Sequence, residues 1–255
     1  MAQYTQRPMR FLENIFQSIA TQILPTACIS CGHHQQHPIC EKCLDLLGIE
    51  SLLNFECCQQ CGLLLHSSEV QKQLCTNCVI KPPYFDATCC LDRYEGRLQA
   101  ALHLLKYQKR VANAHGLAYA WNAILSPHLQ EQYADCLLPV PLSHEKLKIR
   151  GFNQSWELAR RVESRKTIQK LPYALRRHHN IGQQAGSTLI GRHDSIQNMF
   201  FIDTKYLDFL KDKTVVVFDD VMTSGATLNE IARILKESDV KRVINWVLLR
   251  TTKQI

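Results

Sequence analysis

The 255-residue sequence has no uninterrupted apolar stretch of the roughly 18 residues that a membrane span requires. Met1–Arg10 also lacks the apolar core of a secretory signal. A soluble, cytoplasmic protein is expected. There is no low-complexity tract, and no internal repeat beyond a set of duplicated cysteine pairs. Hydrophobic residues make up 45% of the chain, enough for one ordinary domain plus a small one. The formal charge of +7 suits anionic partners such as phosphates or nucleic acid, and equally an ordinary solvated surface.

Cysteine is what the chain has in excess. Of twelve cysteines, eight fall into four C-x-x-C pairs within the first 78 residues: Cys28/Cys31, Cys40/Cys43, Cys58/Cys61 and Cys75/Cys78. In a chain without an export signal, pairs at this spacing bind metal more often than they form disulfides. Each pair can present two thiolates from one tight turn, so two four-cysteine Zn²⁺ sites are expected, closed and therefore structural. Gly32 and Gly62 follow directly on their pairs and suit the positive φ of such knuckles. Consecutive pairing is the expectation, although an interleaved arrangement has the same signature. Cys57 could substitute for Cys58, and His33, His34 or His37 could compete as ligands. A redox motif needs one pair and not four. Cys89, Cys90 and Cys136 lie among apolar residues and read as core thiols.

Between Met9 and Leu24, the residues Phe11, Ile15, Phe16, Ile19 and Ile23 recur at helical spacing until Pro25. This predicts an amphipathic helix within residues 1–27, its apolar face packed on the protein's own metal domain. From Cys28 to about Lys81 there is little helical or strand period, so order there is expected to come from metal. Lys81-Pro82-Pro83 reads as a linker closing a domain at 28–83. Over 84–255 helices and apolar strands alternate. The reading places a helix at 98–107, a strand at 136–140 and a helix from Gly151 to about Val162. It then places a strand at 214–218, a helix at 227–236 and a strand at 243–249. Continuously apolar strands between amphipathic helices predict an α/β fold with a mostly parallel sheet flanked by helices.

Residues 215–227, VVVFDDVMTSGAT, carry the most chemistry. Four apolar residues make a buried strand, and Asp219 and Asp220 follow at the carboxyl end, where parallel sheets place their ligands. Thr223–Thr227 supplies hydroxyls and small residues and opens a helix whose N-terminus favours an anion, so a phosphate belongs there. Two carboxylates would repel that phosphate unless they faced something else. Ribose hydroxyls and the hydration shell of Mg²⁺ are the assignment. The bland alternative is a strand ending in acids that cap the next helix, but composite strand–loop–helix motifs rarely arise by accident.

These thirteen residues resemble the phosphoribosyl-pyrophosphate (PRPP) signature of type I phosphoribosyltransferases, and nearly the whole chain resembles the ComF/GntX family, associated with competence and DNA uptake. Supporting segments are Leu104-Leu105-Lys106-Tyr107, Pro139-Val140-Pro141, Lys148-x-Arg150-Gly151-Phe152-Asn153-Gln154-Ser155 and Leu248-Leu249-Arg250. The double zinc ribbon is similar to that family as well. The resemblance implies a type I phosphoribosyltransferase-like domain that binds PRPP with Mg²⁺, with Asp219 and Asp220 as the catalytic pair holding the ribose. Thr223, Ser224, Gly225, Ala226 and Thr227 would wrap the 5′-phosphate. Residues 139–143 look like the pyrophosphate loop, with Lys106, Lys148, Arg150 and Asn153 supplying charge and hydrogen bonds to the polyphosphate. Relatives carry an arginine–glutamine–leucine–arginine–asparagine hood. Here Arg176, Arg177, Gln183, Gln184, Leu189, Arg192 and Asn198 keep that order with altered spacing.

Three functions fit this reading. The first is a PRPP-using transferase acting in DNA uptake, in which a nucleophile displaces pyrophosphate from ribose C1 through an oxocarbenium-like transition state. A second is a non-catalytic competence factor that holds single-stranded DNA on its ribbons and on the run Arg160, Arg161, Arg165, Lys166, Lys170, Arg176 and Arg177. That run lacks the interleaved aromatics of a base-stacking platform. The third is a nucleobase-salvage transferase, for which no base contacts are recognisable. His103, His178 and His179 are available as bases, but none sits in a motif.

Overall fold

The computed structural model describes residues 26–129, 134–164, 167–178 and 198–252. The expected helix at 9–24, and Arg165, Lys166, His179, Gln183, Gln184, Leu189 and Arg192, lie outside them.

Apolar alternation builds the sheet. In strand β8 (Thr214–Met222), Val216 and Phe218 point into one buried cluster and Val215 and Val217 into another, the two-residue period of a strand covered on both faces. Strand β9 (Arg242–Arg250) runs parallel beside it, with Val217 opposite Asn245 and Val221 opposite Leu249. Strands β3 (Ala87–Arg93), β4 (Cys136–Pro139) and β5 (Gln169–Lys170) complete a five-stranded sheet of order β3-β9-β8-β4-β5 whose pairs are all parallel. The β4 connection leads outward to β5 and the β8 connection outward to β9 on the other side. The β4/β8 junction is therefore the switch point at which such sheets place ligands.

One face of the sheet is covered by helices α3 (Gly96–Gln108), α4 (Ala112–Ala120) and α6 (Gln154–Ala159), which bury Leu98, Leu102, Leu117 and Leu158. Trp121 lies there with its ring 5.2 Å from Phe218 and 5.8 Å from Trp246. The other face is covered by α7 (Ala226–Glu237), which buries Leu228, Ile231 and Leu235 at helical spacing.

The cysteine-rich segment differs from its sequence reading. It contains helices α1 (Glu41–Glu50) and α2 (Thr76–Ile80), and Cys40 and Cys75 stand at their N-caps. Each second cysteine pair thus straddles a helix start, whose geometry was hidden because its apolar positions face a shared core and not a core of the segment's own. Cys28, Ile39, Cys43 and Leu47 join the cluster of Leu98 and Trp121, while Cys58, Cys61, Cys75 and Cys78 join that of Leu228 and Val247. The segment also covers the edge strand β3. Buried Ser51 donates to the Leu91 carbonyl at 2.7 Å, and the Thr88 amide donates to the Gln59 carbonyl at 3.0 Å.

The helix expected from Gly151 to Val162 is also revised. Gly151, at φ 86°, ends helix α5 (His144–Arg150), and α6 begins only at Gln154. A left-handed glycine at a helix end serves as a terminator, not a start.

Candidate functional site

Strand β4 ends opposite Phe218, whereas β8 continues to Met222, so Asp219 and Asp220 emerge where β8 outruns its neighbour. Both acids are nevertheless buried, and they face inward to partners. The Lys106 ammonium forms an ion pair with Asp220 Oδ2, and Gln154 Nε2 donates to Asp220 Oδ1 at 3.2 Å. Asp219 Oδ1 accepts from Ser155 Oγ at 3.2 Å and from the Asp220 amide at 2.9 Å. Burial pushes the Asp219 carboxyl well above the usual carboxylate range, and the charge of Asp220 adds to that. Burial opposes ionisation of Asp220 too, but the Lys106 ammonium and the Gln154 hydrogen bond outweigh it and hold that carboxyl below the usual range. The arrangement is a divided pair, with one charged acid and one inclined to keep its proton.

The loop beyond the acids is open. Thr223 and Ser224 are exposed, and Ser224 Oγ accepts from the Ala226 amide at 3.4 Å. Gly225 has φ 80° and is the N-cap of α7; a Cβ there would lie 2.6 Å from the Met222 methyl. Only glycine meets both conditions without strain. Beyond Ala226, the first-turn amides of this twelve-residue helix have no partner within the helix, and such a helix start can take a phosphate by hydrogen bonding and by the helix dipole.

The other expected residues are distributed less simply. Arg150 donates to Gln154 Oε1 and lies 5.7 Å from the Tyr107 ring centroid, so it joins the acid pair through a relay. Asn153 works locally. Its Nδ2 donates to the Val140 carbonyl at 3.0 Å and its Oδ1 accepts from the Ser155 amide at 3.0 Å, joining the beginning of the 139–143 segment to the start of α6. Lys148 is exposed on α5 and Lys106 is engaged with Asp220. Of the hood residues within the described segments, Asn198 donates its amide to Glu230 at 2.8 Å, Arg176 lies 3.6 Å from Asp203, and Arg177 sits over the Phe200 ring. Arg160 and Arg161 both reach Glu157, at 2.8 and 2.7 Å, and Lys170 Nζ donates to the carbonyls of Arg160 and Val162. The described cations of that run are thus engaged locally and do not form one free stripe.

Three site residues were given no role by the sequence reading. Gln154 and Ser155 stood in a quoted motif, and their polarity at the start of a short helix was the available signal. Arg250 is only 2% exposed, a burial rare for arginine. Its Nε donates to the Cys61 carbonyl at 2.9 Å, while Nη1 donates to the carbonyls of Met222 at 3.0 Å and of Thr223.

The cysteines assemble consecutively. The sulfurs of Cys28, Cys31, Cys40 and Cys43 lie within 4.8 Å of one another, as do those of Cys58, Cys61, Cys75 and Cys78. Cys31 and Cys40 are separated by 3.7 Å and Cys61 and Cys75 by 3.6 Å, close to the edge of about 3.8 Å that four sulfurs make around an ion at about 2.3 Å. Both groups fit a tetrahedral metal. Gly32 and Gly62 have φ of 77° and 69°, as the knuckle turns require. Cys57 stands outside the second group, with its Sγ 3.7 Å from the Leu52 carbonyl, and neither group includes His33, His34 or His37. Arg97, in the first turn of α3, donates to Cys43 Sγ at 3.3 Å.

Comparison with known proteins matches residues 174–254 to the phosphoribosyl transferase domain model. Competence protein F of Haemophilus influenzae is 27% identical over 232 residues, covering 88% of this chain and 96% of that protein. DNA utilization protein YhgH of Escherichia coli is 27% identical over 219 residues, covering 84% and 90% respectively. Among solved structures, a hypoxanthine phosphoribosyltransferase from Staphylococcus aureus aligns over 56% of this chain and 67% of its own at 15% identity, with a TM-score of 0.30, a weak likeness.

Proposed function

We propose that this chain is a ComF-family protein serving DNA uptake, whose parallel-sheet domain binds PRPP with Mg²⁺ at the β4/β8 junction. One observation carries the reading. An exposed loop with a left-handed glycine opens α7 directly beside two acids, at the switch point of a parallel sheet. The loop amides would hold the 5′-phosphate. Asp219 and Asp220 would hold the ribose hydroxyls.

The two acids are hard oxygen donors of the kind that Mg²⁺ takes through water. Bound there with PRPP, Mg²⁺ would offset the charge of the pyrophosphate. Lys106 keeps Asp220 ionised, and Arg150, through Gln154, keeps it aimed. The 139–143 segment, tied to Asn153 at the Val140 carbonyl, would serve as the pyrophosphate loop. With phosphate and ribose fixed, C1 is presented to a nucleophile from outside the chain. The two four-cysteine groups are assigned to structural Zn²⁺, with no coordination position left for chemistry.

Calorimetric titration of PRPP with Mg²⁺ tests the site. Replacing Asp219 and Asp220 together with Ala should weaken binding at least about a hundredfold, the scale of losing two charged hydrogen-bond partners. Unchanged heats would refute the assignment. The names of the relatives support a role in competence or DNA use, and pyrophosphate release against candidate acceptors separates a transferase from a binding factor.

A further inference from the structure

Arg250 touches both halves of the molecule. Its guanidinium, at the carboxyl end of β9, reaches the Cys61 carbonyl in the second knuckle and the Met222 and Thr223 carbonyls where the phosphate loop begins. It also reaches the Thr251 carbonyl at 3.0 Å, and the Thr251 amide donates to Met222 at 3.1 Å. Carbonyls satisfy the donors, but they do not balance a buried full charge. A dication bound by four thiolates is a net dianion, and Cys61 is one of four cysteines placed to form such a group. With metal bound, that group would supply a counter-charge for Arg250.

We propose that Arg250 is a positioning residue that transmits the order of the Cys58/Cys61/Cys75/Cys78 knuckle to the phosphate loop, so that losing metal from that knuckle loosens 223–227. The planar fork suits this role, since it fixes two carbonyls in register with a third on another element. The contact is close, because a Cβ on Gly62 would lie 2.8 Å from Cys90 Sγ, leaving the knuckle no room to drift toward β3. The consequence for PRPP affinity rests on the function proposed above. The coupling of knuckle to loop does not.

Hydrogen exchange of the peptide spanning 222–228 reads the coupling in the full chain, comparing wild type with R250M and R250K, each metal-loaded and after zinc chelation. Protection of 243–249 in β9, an interior strand of the sheet, reports that the fold persists. In metal-loaded R250M the loop should exchange about tenfold faster than wild type, the scale of one lost hydrogen bond from a charged donor. Chelation should accelerate the wild-type loop similarly and add little in R250M, and R250K, which keeps the charge without the fork, should fall between. Equal loop exchange in metal-loaded wild type and R250M would overturn the proposal, as would chelation acting equally on both. If R250M fails to fold, R250K decides, and a wild-type loop rate in that variant is the overturning result. PRPP titration of the same samples keeps the two readings apart. A wild type that does not bind PRPP but whose loop obeys these rules refutes the function and leaves the coupling standing.

Discussion

Lys106 in the last turn of α3 and Asp220 on β8 form a buried ion pair, with side chains 14% and 6% exposed. Removing one partner of such a pair strands the other charge, which costs more than the pair itself contributes. K106M should therefore lower stability by about 3 kcal/mol at neutral pH, visible as a Tm lower by about 10 °C. The sign with pH follows from the depressed Asp220 carboxyl. Its contribution is present above the unfolded-state value and fades as pH falls through the folded-state value, so the gap between variant and wild type should shrink in acid. A gap independent of pH down to the acid limit of folding would show that Lys106 stabilises by packing alone.

Asp219 should behave in the opposite way. Its carboxyl is raised, chiefly by burial, so the folded chain retains a proton that the unfolded chain gives up as pH rises. Stability is thus lost on going from acid to neutral pH. D219N removes the titration while keeping the acceptor for Ser155, and it should raise Tm by a few degrees at pH 7 but not near pH 3. The same variant should bind PRPP more weakly, the usual exchange of stability for function at a strained site. Thermal melts across pH check the first expectation and calorimetry the second.

What could be read in advance follows the range of the interactions. The strand, acids and glycine loop of 215–227 announce themselves because their logic is local: an apolar run, a turn residue and a helix start. The spacing of the cysteines announces two four-cysteine groups but leaves consecutive and interleaved pairing open, and the folded chain brings the consecutive pairs together. Ser155 and Gln154 meet the acids across 64 and 66 residues, and no local period encodes such a meeting. Arg250 closes a contact with Cys61 across 189 residues, and although the segment Leu248-Leu249-Arg250 supported the family resemblance, nothing local to it names that partner. Helix α1 was missed because its buried positions, Cys43 and Leu47, serve a core supplied mostly by residues beyond 90.

Gly225 offers a sharper test of the loop than its hydroxyls do. Alanine there must hold φ near 80°, and its Cβ must displace the Met222 methyl, a flexible group that can move. The persistent cost is backbone strain of about 1 to 2 kcal/mol. G225A should lose about that much stability and at least about tenfold in PRPP affinity, because relief of the strain turns the loop amides away. G225N, whose side chain tolerates the left-handed region, should retain more of both. Equal losses for the two variants would point to side-chain bulk in the loop as the cause.

Metal stoichiometry tests the knuckles directly. The full chain should carry two zinc ions, measured by plasma mass spectrometry. Consecutive grouping makes a definite statement about double variants: replacing Cys28 and Cys43 with Ser empties one site and leaves one ion, whereas replacing Cys28 and Cys58 empties both. Losses should not be equivalent in their effects. Among the described residues, the first knuckle is contacted by Arg97 at the far end of α3 from Lys106, whereas Arg250 joins the second directly to the carbonyls of Met222 and Thr223. Emptying the second site should therefore reduce PRPP affinity more than emptying the first, at equal loss of metal. Both losses should also lower Tm, since each group of cysteines lies within a core cluster shared with the sheet.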